Sequence, residues 1–185
     1  MINGLYWFAG KWSGKGSVWI ISDTHFDDND RDVMGYEISS QEQFDILKRY
    51  VHKNDTLIHL GDVGDPKYFE KLPGYKVLIL GNHDYTVKKF QPYFDEIYEG
   101  PLFINRKILL SHEPIHNIEF CFNIHGHDHN VNNIGDDYHL NLASNVFRYA
   151  PANLGKLIKD GIVANIKDIH RITIDNAVEK NNNDS

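Results

Sequence analysis

The chain has 185 residues, of which 41% are hydrophobic and 24% charged, enough for one domain that buries roughly 70% of the surface its unfolded form exposes. Those fractions exclude a disordered or collagen-like chain, and a single cysteine, Cys121, excludes a disulfide framework or a cysteine-based zinc site. A formal charge of −7 disfavours long nucleic acid as a partner, and no run nears the roughly 20 apolar residues that span a bilayer. Met1–Gly16 has no positive segment ahead of an unbroken apolar core, so it is not read as a signal peptide; with one cysteine, the expected compartment is the cytoplasm. One count stands out: 11 histidines, the commonest metal ligand.

In chain order, Leu5–Phe8 is a possible short strand and Gly10–Gly16 a turn-rich loop. Val18–Ile21 is a compact β-branched run and reads as a buried strand. Residues 27–38 are acidic and irregular, a loop. Ser39–His52 reads as a helix: Ser39 with Glu42 and Ser40 with Gln43 have capping-box spacing, and Phe44, Leu47 and Val51 share a face. Thr56–Leu60 is a strand, Pro66–Leu72 a short helix, Lys76–Leu80 a strand, and Thr86–Phe90 a helix that stops before Pro92. Leu102–Ile104 and Lys107–Leu110 flank Asn105-Arg106 as a hairpin. Phe120–Ile124 and Tyr138–Leu142 are strands, Asn153–Lys159 a helix ended by Gly161, and Arg171–Ile174 a last strand. Strands alternate with helices early and dominate later, which predicts an α/β layered domain on mixed sheet. The domain spans 1–180, with 1–16 an N-terminal extension expected to form a hairpin and 181–185 a flexible tail.

The chemistry lies where the apolar runs stop. They end in Ser22-Asp23-Thr24-His25, in Gly61-Asp62, in Gly81-Asn82-His83-Asp84, in Ser111-His112-Glu113-Pro114 and in His125-Gly126-His127-Asp128-His129. Five strands thus deliver metal-competent side chains just past their C-terminal ends, where open α/β sheets bind ligands. Asp23 and His25 are two apart, as are His127 and His129, so each pair can converge in extended chain. With Asp62, Asn82 and His112 they make seven oxygen and nitrogen ligands. Seven is too many for one small ion that keeps a water, and suits two ions sharing a carboxylate with room for substrate.

These five ordered blocks, D-x-H, G-D, G-N-H-D, a lone His and G-H-x-H, run from residue 23 to 129. In them the chain resembles the calcineurin-like metallophosphoesterases, and most of all their small single-domain bacterial and phage members. The resemblance implies a four-layer α/β/β/α sandwich of two mixed β-sheets flanked by helices. It implies one metal held by Asp23, His25, Asp62 and His129, and another held by Asp62, Asn82, His112 and His127. In such proteins His83 is no ligand: it sits over the phosphoryl group with Asn82, and Asp84 positions its imidazole. Two divalent cations about 3.5–4 Å apart lower the pKa of a bridging water, giving a bridging hydroxide nucleophile near neutral pH. An all-oxygen and imidazole set admits manganese, the first expectation, and also iron, zinc, cobalt or nickel.

The remaining candidates have plainer readings. His59 is expected to pack or bond backbone, His125 to be structural, and His116 to be solvent-exposed or a substrate contact. His52, His139 and His170 are ordinary, Cys121 is core, Asp128 points away from the metals, and Asp27, Asp28 and Glu113 are solvated loop charges. Trp7, Trp12 and Trp19 belong to an edge-covering extension or to a partner surface. The family's protein phosphatases carry an arginine shortly after G-D; Gly61–Pro66 has none, and Arg31, Arg49, Arg106 and Arg148 lie outside the motifs. A dianion clamp at that place is therefore missing. The expected activity is a phosphodiesterase on a nucleotide or other small phosphate ester; the alternatives are a phosphomonoesterase and a non-catalytic metal-binding interaction module.

Overall fold

The computed structural model of the chain describes residues 6–7, 16–167 and 172. Among the described residues the strands are β1 (Tyr6–Trp7), β2 (Val18–Ile21), β3 (Thr56–His59), β4 (Tyr75–Ile79), β5 (Glu96–Tyr98), β6 (Leu102–Asn105), β7 (Ile108–Leu110), β8 (Phe122–His125), β9 (His139–Asn141) and β10 (Ala152–Asn153). The helices are α1 (Ser40–Tyr50), α2 (Val87–Phe90) and α3 (Leu154–Lys159), with a 3-10 helix at Pro66–Lys71. The strands form two mixed sheets, ordered β10-β2-β3-β4-β5 and β1-β6-β7-β8-β9. Flanking helices complete the α/β class that the motif blocks imply. Among the described residues no helix is long and apolar enough to cross a membrane.

Local chemistry explains the main elements. Helix α1 begins at a complete capping box: the Ser39 side chain accepts from Glu42 N–H, and the Glu42 carboxylate accepts from Ser39 N–H. Its Phe44 and Leu47 then turn inward together. The Pro66 segment is a 3-10 helix, started by Asp65 accepting from Lys67 N–H. The β6–β7 turn sits at Arg106-Lys107, one residue past the expected place, with the Asn105 side chain accepting from Lys107 N–H.

Alternation along the strands separates two cores. Ile20, Ile58 and Val77 face one way in register, and meet Ile108, Leu110, Phe122 and Ile124 of the other sheet in one apolar cluster. The opposite face, through Ile21, Leu57 and Leu78, takes Phe44 and Leu47 of α1, Phe69 of the 3-10 helix and Phe90 of α2. The outer face of the second sheet packs Phe103, Leu109 and Cys121 against Ile115, Ile118 and Phe120. Burial pushes the Cys121 thiol up to about 11, so it is a core residue and no nucleophile.

Two short strands, β5 and β10, escaped the sequence reading, whereas β1 falls within the strand expected at Leu5–Phe8. β5 and β10 lie at the two edges of one sheet, where few residues are needed to pair. At the edge of the other, β1 pairs parallel to β6, Tyr6 opposite Leu102. The rest of the extension, with Trp12, His170 and the expected strand at Arg171–Ile174, lies outside the described residues apart from Ile172, whose backbone is helical. Trp19 is described: its indole N–H donates to Asp55 and its ring meets Tyr50 edge-on.

Strands β2, β3 and β4 are parallel and in register, Ile21 opposite His59 and His59 opposite Leu78. β7, β8 and β9 are likewise parallel. The two sets of C-terminal ends are tied together by a bridge between Ser22 and Ala143, with Ser22 N–H donating to Leu142 O at 3.2 Å. All five motif blocks therefore open onto one place.

Candidate dinuclear metal centre

Each block leaves its strand through unusual backbone. Asp23, His25, Asp62 and His127 all have left-handed φ, between 42° and 66°, a conformation that L residues other than glycine adopt rarely. Glycine supplies the remaining room. Gly61 has φ +101°, and a Cβ there would lie 2.5 Å from Gly81 N. A Cβ on Gly126 would lie 2.0 Å from Ser22 Oγ and 2.1 Å from Asp23 Oδ2. The blocks are packed backbone against carboxylate, which is why glycines stand between the donors.

The turns are stapled by side chains. Asp84 uses one carboxylate oxygen for the N–H groups of Asp62 (2.8 Å) and Gly81 (3.0 Å), and the other for Val63 N–H (3.2 Å). The expected pairing of Asp84 with the His83 imidazole is thus replaced by a clamp on the two loops that carry Asp62 and Asn82. Burial raises the Asp84 carboxyl, and the backbone donors only partly offset this. His59 is equally structural. Its Nδ1 accepts from Gly61 N–H at 3.1 Å, so Nε2–H faces Thr24 Oγ1 at 2.9 Å, which donates on to Val63 O. Burial lowers His59 to about 3 and keeps it neutral.

Two groups of donors result. Asp23, His25 and His129 offer atoms within 4.8 Å of one another, as do Asp62, His112 and His127. Asp62 spans both: its Oδ2 is 3.7 Å from His25 Nε2 and 3.4 Å from His112 Nε2, while its Oδ1 accepts from His83 N–H. Asn82 Oδ1 joins the second group, 2.8 Å from His112 Nε2 and 3.0 Å from His127 Nδ1. Asp23 divides its carboxylate in the same way: Oδ2 accepts from His127 N–H, and Oδ1 faces His129 Nε2 at 3.7 Å and His25 Nε2 at 3.9 Å. His83 stands exposed at the mouth, its ring centroid 5.5 Å from that of His25.

The electrostatics suit cations. Asp62 is held down to about 2: burial works to raise it, and the His112 ring, His83 N–H and His25 outweigh that. His112 is pushed up to about 9: burial lowers it, but Asp62, Asp23 and the Leu60 carbonyl prevail. Positive charge is welcome between these groups. Asp23 Oδ1 and His25 Nε2 are buried with no hydrogen-bond partner. Buried polar atoms are rarely left so. A divalent cation would give both a partner, and the hard and borderline donors fit one.

The calcineurin-like phosphoesterase profile matches residues 16–173. The chain belongs to the calcineurin-like phosphoesterase family. It is similar to a protein of unknown function, AQ665, from Aquifex aeolicus, whose crystal structure aligns with a TM-score of 0.63 and 26% identity over 78% of this chain and 98% of that one. Comparison with curated proteins finds no match. As a member of the family, the chain is a metal-dependent phosphoesterase.

Around the donors of this phosphoesterase stand residues that sequence reasoning missed or misjudged. Asp28 is no solvated loop charge: its Oδ2 lies 3.1 Å from His25 Nδ1, and turns His25 Nε2 inward. Asn145 Oδ1 holds His129 Nδ1 at 3.0 Å, and Leu60 O holds His112 Nδ1 at 2.9 Å. The Tyr36 hydroxyl donates to Asp23 O. Arg31 is neither an anion contact nor a surface ion pair. Its buried guanidinium donates to the carbonyls of Thr24, His25 and Ile38 and to the Gln43 side chain, fixing the acidic loop. Asp28 could have been found from its place three residues after a ligand histidine; Asn145 gave no such signal. His125 donates from Nδ1 to Gly126 O, the structural part expected of it, and Asp128 binds Asn130 N–H and the Asn133 amide, away from the donors.

Proposed function

We propose that the chain is a dinuclear-metal-dependent phosphodiesterase acting on a nucleotide or another small phosphodiester. The observation that carries this reading is Asp62 Oδ2, within 3.7 Å of a nitrogen from each donor group. Asp23, His25, Asp62 and His129 would hold one cation, and Asp62, Asn82, His112 and His127 the other. When bound, such a pair supplies Lewis acidity at the phosphoryl oxygens and a water of lowered pKa. The protein's own part is positioning. Asp62 keeps one orientation because Oδ1 is tied to His83 N–H. Asp84 sets the spacing of the loops carrying Asp62 and Asn82, and acts through backbone only. Asn82 and His83 are the exposed side chains that meet substrate. His83 carries the proton that the leaving oxygen takes up, or stabilises charge as it develops.

The diester preference is supported by the run after Gly61-Asp62, which offers no arginine to clamp a dianion, and by Arg31, which is committed to backbone carbonyls. Hydrolysis of bis-p-nitrophenyl phosphate with added manganese, compared with p-nitrophenyl phosphate, tests the reading. The diester is expected to turn over faster. A folded protein inactive on both across manganese, iron, zinc, cobalt and nickel would overturn it. The compartment proposed for this enzyme is the cytoplasm, and fractionation of cells tests that placement.

A further inference from the structure

A cleft of about 340 Å³ opens beside the second donor group, with Asn82 and His112 forming one end. That volume lies at the low end of the roughly 300–1,000 Å³ typical of small-molecule sites. Its apolar lining comes from Leu80, Pro101, Pro114 and Ile115. Its two charged residues besides the histidine are Glu99 and Glu113, both exposed; no lysine or arginine lines it. The far wall is built in advance. Ser111 Oγ donates to Glu113 O at 2.7 Å, and Ile115 N–H donates to Asn123 Oδ1 at 2.9 Å. Ile115 O faces His139 Nε2 at 3.0 Å, and the same ring reaches Asp136 at 2.8 Å. Thus His139, an unremarkable residue in the sequence, braces this wall.

A phosphoryl group at the donor cluster has room for its substituent in this cleft, which adjoins two of the ligands, Asn82 and His112. Apolar walls favour a carbon skeleton. Two carboxylates accept hydrogen bonds from hydroxyl or amine groups and repel a further anion. Resting on the phosphodiesterase reading above, we infer that the cleft binds the organic substituent of the ester and selects uncharged or cationic substituents over those bearing a second phosphate. Glu99 and Glu113 are the specificity-determining residues, and a nucleoside without a further phosphate is the class that fits.

The test uses the manganese-loaded full chain and isothermal titration with thymidine 5′-phosphate, thymidine 3′,5′-bisphosphate and inorganic phosphate. Thymidine 5′-phosphate is expected to bind about tenfold more tightly than the bisphosphate, the effect of one modestly screened charge contact. In Glu99→Lys/Glu113→Lys that ratio is expected to vanish or invert, and inorganic phosphate, titrated in parallel, gives the general electrostatic change at the donor cluster against which the ratio is read. The milder Glu99→Gln/Glu113→Gln should fall between. A wild-type protein without the preference, or a ratio that both double variants leave unchanged, would overturn the inference. Turnover of methyl p-nitrophenyl phosphate, whose methyl group is too small to fill the cleft, is followed in parallel. Its absence removes the hydrolase reading, while the binding ratio still decides the cleft.

Discussion

The two donor groups differ in how their histidines are held and in what lies around them. In the first, Asp23 and His25 are fully buried, and side chains set the rings: Asp28 for His25 and Asn145 for His129. In the second, Asp62 and His112 are buried, but Asn82 and His127 are exposed. There a backbone carbonyl, Leu60 O, sets His112, and the cleft lined by Glu99 and Glu113 begins at the ligands themselves. One group is enclosed by its own loops and the other faces solvent. Burial raises the worth of each charge interaction in the first, and exposure leaves room for exchange in the second. A single shared carboxylate therefore joins two sites of unlike character.

Removing the shared residue should erase the distinction altogether. Asp62→Asn is expected to lower metal content at both groups and cut diester hydrolysis by about 10⁴-fold or more, the loss of several kcal/mol of Lewis-acid stabilisation. Elemental analysis with a rate assay checks it. His83→Ala should do the reverse: two metals retained, with the rate down by about 10²–10⁴-fold, the range for a positioned acid or base. If that variant loses its metals, His83 belongs among the ligands and the assignment fails.

The supports sharpen the comparison further. Asp28→Asn should weaken one metal-binding step by about 10–100-fold, the usual effect of losing the partner of a ligand histidine, and leave the other step unmoved. A two-step titration with manganese reads both. A last effect concerns the turn between the groups. His59 is lowered to about 3 from 6.5, so between those values the unfolded chain takes a proton that the folded chain refuses. Stability of metal-free protein should therefore fall as pH drops from 6.5 toward 3, by up to about 1.4 kcal/mol per pH unit from this group. His59→Gln should flatten that decline in denaturant melts.

The motif blocks were legible because their chemistry sits at fixed places after apolar runs, and a strand end is visible as the point where apolar residues stop. Ser39–Glu42 was legible because a capping box is local. The paired use of each carboxylate was not. Asp23 and Asp62 each give one oxygen to a backbone N–H far along the chain, from His127 and His83, and spacing says nothing of contacts across 104 and 21 residues. The part of Asp84 was hidden for the same reason: the resemblance implied an imidazole partner in His83, and the fold brings three backbone N–H groups onto its carboxylate. β5 and β10 were missed because edge strands of three and two residues carry no periodicity.

The left-handed backbone at Asp23, His25, Asp62 and His127 has an evolutionary side. Each such residue holds the chain about 1–2 kcal/mol above a relaxed conformation, and glycine is the substitution that would release it. Glycine also deletes the donor. A library of this protein screened for heat resistance in chelator should therefore enrich glycine at these positions and lose metal binding, whereas the same screen with manganese present should retain all four residues. The loops record a selection for chemistry that runs against the thermodynamic preference of their own backbone.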